Sequence, residues 1–284
     1  MEPQINADTR RQEQGECGKI DAELLPVKIQ FLGDSRDAFR WDLLHWLCSR
    51  SAPPFSKLLF VPLLTPPDPS LRHGQTPHTR FPARPEIQDF VGSLRAHPEG
   101  LNAIRRLGRV ETNWSFDVVI HAPDTVIHDG IRRGEYWRGL QPPLYGNTLL
   151  FLDPDNGFEI KSDRGNKWVL DAEVAWLLCE LPPSSIVVVF QHWPHRPWNQ
   201  VFEALLPRLP LASYASAAYD HSSAFILLAR DLQTAGTVDV AVRAYAHGHP
   251  TVHYKPLKPL ANRGAGLAGR NPGNRRRLSL GRDK

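Results

Sequence analysis

The chain has 284 residues, 41% hydrophobic and 23% charged, enough apolar material for one large α/β domain with tails. No apolar run reaches the ~18 residues that cross a bilayer, residues 1–19 lack a signal-peptide core, and Cys17, Cys48 and Cys179 are too few and too scattered for a disulfide framework, which fits a reducing, cytoplasmic setting. The net charge of +4 is uneven, because residues 255–284 hold nine Lys or Arg against Asp283 alone.

In chain order, residues 1–24 read as a polar leader. Val27–Leu32 (VKIQFL) reads as a buried strand ending at Gly33. A helix follows from Ser35 to about Cys48, with Phe39, Leu43 and Leu47 on one face. Leu58–Leu64 is a strand bent or ended by Pro62, and residues 65–85, dense in proline, form a loop or flap. Glu86–Leu107 reads as helix interrupted at Pro98, Phe116–His121 as strand, and Asn147–Leu152 as a strand running into Asp153-Pro-Asp-Asn-Gly157. Asp171–Leu181 is a helix, Ser185–Phe190 a strand covered on both faces, and Asn199–Leu209 a helix. Ser223–Ala229 is the last strong strand, and Val238–Ala244 reads as an edge strand. Alternating strands and helices predict an α/β fold: a three-layer sandwich with a mostly parallel central sheet and helices on both faces. The domain spans residues 25–254, with residues 255–284 as a basic flexible tail rich in Gly, Pro and Asn.

In such sheets, ligands bind past the carboxyl ends of the strands. Three loops then become one candidate site. In Gly33-Asp-Ser-Arg-Asp37, the glycine permits a sharp turn or a close approach, and Asp34 and Asp37 begin a helix. Either carboxylate can orient water or oppose a growing positive charge. Asp34 also fits a helix cap, with Asp37 as its capping partner. The glycine spacing is not that of a phosphate loop. In Asp153-Pro-Asp-Asn-Gly157, Asp153 and Asp155 lie beside Asn156, whose amide can donate and accept to a base edge. A plain β-turn fits the same string. In Gln191-His-Trp-Pro-His-Arg196, His192 and His195 can donate to a departing oxyanion, and Arg196 can bind phosphate. Trp193 and Trp198 can stack on a base or wedge into a duplex. Arg275, Arg276 and Arg277 in the tail suit phosphate contacts without sequence preference. Arg105, Arg106, Arg109, Tyr136, Trp137 and Arg138 are weaker candidates for phosphate and stacking contacts. His247, His249 and His253 are close in sequence but have no cysteine or carboxylate nearby, and read as a polar segment.

The order of an acidic Gly-Asp loop, a strand-end Asn and a late His-Pro loop resembles the uracil-DNA glycosylase superfamily. More closely, it is similar to the bacterial phage-defence glycosylases that remove glucosylated hydroxymethylcytosine. The resemblance implies that Asp34 or Asp37 is the acid, Asn156 reads the flipped base, and His192 with His195 forms the leaving-group loop. It places Asp153, Asp155, Phe39 and Arg196 at the substrate. It implies base flipping and hydrolysis of the N-glycosidic bond in double-stranded DNA, with no cofactor, no metal, no membrane and no obligatory protein partner.

Three other readings compete. Asp153-Pro-Asp-Asn resembles the Asp-Pro-Pro-Tyr loop of S-adenosylmethionine-dependent amino-methyltransferases, and Ala218–Arg230 resembles a terminal strand of that fold. A non-catalytic module could hold nucleic acid through the tail. A nuclease could hold Mg²⁺ through Asp153, Asp155 and Glu159.

Overall fold

The computed structural model describes residues 31–51, 55–66, 76–95, 97–128, 130–141, 146–158, 165–193, 195–209 and 214–258. In chain order, α1 (Ser35–Arg50) leads to β1 (Lys57–Pro62), α2 (Pro85–Leu94), α3 (Ala103–Thr112) and β2 (Asp117–Ile120). Next come α4 (Gly130–Gly139), β3 (Thr148–Asp153), the short strands β4 (Gly157–Phe158) and β5 (Trp168–Val169), and α5 (Asp171–Glu180). The chain continues through β6 (Ile186–His192), α6 (Trp198–Leu205), β7 (Tyr214–Tyr219), β8 (Ser223–Ala229), α7 (Leu232–Gly248) and β9 (His253–Lys258).

Seven strands form one sheet in the order β2-β1-β3-β6-β8-β7-β9. β2, β1, β3 and β6 are parallel. β8 then pairs antiparallel with both β6 and β7, and β9 antiparallel with β7. Period-2 alternation divides each central strand between two cores. Phe60, Phe151, Val188 and Phe190 pack on the side of α1, α2, α3 and α7. Val61, Leu152, Val187 and Val189 pack on the side of α4, α5 and α6. That is the expected three-layer α/β sandwich, and burial on both faces explains the unbroken apolar runs of β3 and β6. Among the described residues, no helix is long and apolar enough to cross a membrane.

Three elements differ from the sequence expectation. Of Val27–Leu32, residues 27–30 lie outside the described residues, and Phe31 and Leu32 form a turn before α1. Residues 238–244 are helical, inside α7, because Ala235, Val238, Ala241, Val242 and Tyr245 recur at helical spacing against the sheet. β7 and β9 carry no strong apolar signal: β7 is YASAAY and β9 contains Pro256, yet both join the sheet. β9 therefore takes Lys255 and Lys258 out of the presumed tail. The leader, the proline-rich residues 67–75, Glu159, and Arg275, Arg276 and Arg277 lie outside the described residues.

Candidate functional site

The parallel strands β3 and β6 are neighbours, so their carboxyl ends open side by side. β7 runs in the same direction, and its turn into β8 reaches the same rim. Asp220 builds that turn: its Oδ1 accepts from Ser222 N at 2.7 Å and Ser223 N at 2.8 Å. Above this rim lies a cavity of about 630 Å³.

Its floor on one side is the start of α1. Asp34 is the N-cap, with Oδ1 accepting from Arg36 N at 2.8 Å and Asp37 N at 3.0 Å. The capping role expected of Asp34 is therefore present, and it does not remove the residue from the cavity wall. Asp37 accepts from Gly33 N at 2.6 Å and pairs with Arg40 Nη1 at 2.5 Å. Gly33 sits at φ +83°, and a Cβ there would lie 2.7 Å from the Arg95 backbone, so both conformation and space require glycine. Burial raises the pKa of Asp34; the N–H of Asp37 and the charge of Arg40 oppose that shift only in part. Burial pushes Asp37 up to about 6, against the pull of Arg40 and with the help of Asp34 and Asp153.

Arg40 was not singled out in the sequence, although an opposite charge three residues after Asp37 on a helix is a recognisable pair. Its guanidinium joins two loops, reaching Asp37 and, at 3.2 Å, Asp153. It lies 5.0 Å above the Phe190 ring centroid. Asp153 is the last residue of β3, only 1% exposed, and sits behind the cavity rather than in its wall. Asp155 is in the wall and accepts from the Thr65 hydroxyl. Asn156 is also in the wall; its backbone N–H donates to Lys167 O at 2.9 Å, and its carbonyl accepts from His192 N at 3.3 Å.

Gln191 and His192 belong to β6 itself, one residue pair beyond the expected strand end. His192 lines the cavity, its ring edge-on to Phe190 at 4.7 Å. Trp193, 44% exposed, stands on the rim, and its Nε1 donates to Arg196 O at 2.9 Å. His195 also lines the cavity and adopts φ +56°, a left-handed conformation in which His is more common than most residues.

The cavity thus brings together Asp34, Asp37, Asp155, Asn156, His192 and His195, with Trp193 at the edge. Four expected contacts are corrected, the first being Asp153, which lies outside the cavity wall against Arg40. Phe39 is fully buried in the core, stacked on Phe81 at 4.7 Å, because the Phe39–Leu43–Leu47 stripe faces the sheet. Trp198 is a packing residue, stacked on Phe202 with Nε1 donating to Asp220 O at 2.7 Å. Arg196 lies outside the wall and contributes its carbonyl to the Trp193 turn.

The weaker candidates also have structural partners. Arg105 and Arg109 face Asp117, Arg106 faces Glu99, and the Tyr136 hydroxyl donates to Pro62 O at 2.6 Å. Trp137 Nε1 donates to Glu173 at 2.5 Å, and Arg138 Nε to Gly134 O at 3.2 Å. His249 turns into the core against Asp42 at 2.9 Å. Sequence reasoning missed Lys167, His221 and Ser222, all in the wall. The first is brought over by β5, and the other two by the β7–β8 turn, whose first strand was not recognised.

No protein-family model matches the chain. No curated protein matches it either. The chemistry of the cavity is therefore argued from its own side chains: buried carboxylates beside a cation, with an amide and imidazoles in the same lining, within a volume suited to a small-molecule-sized group.

Proposed function

We propose that the chain is a DNA glycosylase that draws a modified base out of the duplex and hydrolyses its N-glycosidic bond. The observation that carries this reading is the shared cavity of Asp34, Asp37, Asn156 and His192, residues from three separate stretches of the chain. Cleavage of this bond leaves positive charge on the sugar and negative charge on the base. A carboxylate from the Asp34–Asp37 pair stabilises the first, as in glycoside hydrolysis generally. Arg40 favours the ionised form of Asp37 in spite of its burial. His192 donates to the departing base and Asn156 hydrogen-bonds its edge, where preorganised donors act most strongly. Trp193 offers an aromatic face at the mouth. Glucosylated hydroxymethylcytosine in phage DNA is the substrate that the sequence resemblance implies, and 630 Å³ leaves room for a base carrying a sugar. An antiviral role in the cytoplasm follows from the same resemblance.

The test is incubation with normal, uracil-containing and glucosylated phage DNA, followed by detection of abasic sites and of freed base. Asp37→Ala and Asn156→Ala should each slow base release by about 100-fold or more. Undiminished release from both would defeat the assignment.

A methyltransferase is the second reading. It is favoured by β8 running antiparallel between β6 and β7, at the segment that resembles the terminal strand of that fold. Asp153, which would open the Asp-Pro loop, is instead buried against Arg40. Calorimetric titration with S-adenosylmethionine separates the two, since the glycosylase reading expects no heat.

A further inference from the structure

We propose that Gln191 is the positioning residue of the cavity: its carboxamide locks the Asp155–Asn156 loop to the end of β6, so that Asn156 and His192 face one ligand in fixed geometry. The catalytic consequence rests on the glycosylase reading; the positional role does not. The β3–β6 ladder ends at Leu152 opposite Val189. Beyond that point a backbone bond, His192 N to Asn156 O at 3.3 Å, joins them, and the fully buried Gln191 side chain reinforces it. Its Oε1 accepts from Phe158 N at 2.9 Å. Its Nε2 donates to Asn156 O at 2.8 Å and to His192 O at 3.0 Å. Only one orientation of the amide works, because a flipped group would set N–H against N–H and oxygen against two carbonyls. The neighbouring chain has made room for it. Gly157 sits at φ +104°, and a Cβ there would lie 2.3 Å from Gln191 Oε1. The glycine that ends Asp153-Pro-Asp-Asn-Gly157 therefore does more than allow a bend; it lets the amide lie against the backbone.

Gln191→Met keeps the length of the side chain and removes its donor and acceptor. We expect kcat for base release to fall about 100-fold with KM within a few-fold, the cost of misplacing groups that still bind. Gln191→Glu carries a pH signature. Its carboxylate would face two carbonyl oxygens, whereas the protonated acid can donate to one. Its deficit relative to the native protein should therefore shrink from about pH 8 to about pH 5. In protein with ¹⁵N-labelled Asn and His, Gln191→Met should shift the Asn156 and His192 signals and leave His249, bonded to Asp42, in place. Native kcat in Gln191→Met, or unmoved Asn156 and His192 signals in the folded variant, would overturn the proposal. If Gln191→Met does not fold, Gln191→Glu decides, and a deficit constant with pH overturns it. If the native protein releases no base from any DNA, the glycosylase reading falls while the NMR comparison still decides the role of Gln191.

Discussion

Asp37 and His249 show how burial sets the working charge of single residues. Burial lifts Asp37 to about 6, so the native protein takes up a proton there more readily than the unfolded chain. The stability this group contributes is present below its ordinary value of 3.8 and is lost as pH rises through about 6. On the glycosylase reading, catalysis by the carboxylate runs the other way, so base release should fall on the acid side with a limb near 6. Arg40→Met removes the adjacent cation and should move that limb to higher pH; a pH–rate profile with an unmoved limb would show that Arg40 does not govern Asp37.

His249 is the converse case. Burial lowers its pKa, but the bond to Asp42 and the one to Tyr245 O outweigh that, and the net shift is upward. Both ring nitrogens face acceptors, at 2.9 Å and 2.8 Å, so the protonated ring donates at both while the neutral ring can donate at only one. Its stabilisation is complete below the usual histidine value of 6.5 and is lost as pH rises through the raised one. Thermal melts of the native protein should therefore decline as pH rises past the usual histidine value of 6.5. His249→Ala should cost about 1–3 kcal/mol at acidic pH, since Asp42 loses that partner but keeps Arg84 at 2.6 Å and the Tyr245 hydroxyl at 2.9 Å, and should show a flatter pH dependence there.

At the level of elements, the signals that worked were those with strong local physics. The caps and apolar stripe of α1, the Val-rich run of β6 and the stop at Pro62 were all legible, because each reflects short-range geometry or two-sided burial. β7, β9 and the helical state of residues 238–244 were not. Ala and Ser in β7 pair because β8 and β9 flank them, and the valines of α7 are as common in strands as in buried helix. Packing between elements also makes a prediction away from the cavity. A Cβ on Gly108 of α3 would lie 2.3 Å from the Trp114 ring, which is itself stacked on Trp41 at 5.6 Å. Gly108→Ala should destabilise the fold by about 1–3 kcal/mol through overpacking. Urea unfolding measures this, and ligand binding in the cavity should be unchanged below the transition.

For the whole molecule, the glycosylase reading assigns the charge asymmetry two jobs, turnover in the core and phosphate contact in the tail. Residues 259–284 hold seven Lys or Arg against Asp283. Deleting them retains β9 and the cavity. We expect turnover to persist, with DNA affinity weaker and its dependence on salt shallower, since fewer phosphates are neutralised. A salt titration of binding, full-length against truncated, tests this; complete loss of turnover would instead favour a protein that acts through its tail.

By itself the amino-acid sequence determined the fold class, the helix that presents Asp34 and Asp37, and the three loops on which the polar side chains sit. Periodicity, capping and turn chemistry act over a few residues and leave their mark in the local string. Only the tertiary structure decided which of those side chains share a cavity. It sent Phe39 and Trp198 into packing, set Asp153 outside the wall, and brought in Arg40, Lys167 and His221. Those outcomes depend on which strands become neighbours and where each ladder stops, and that is a contest among distant segments for burial and hydrogen bonds.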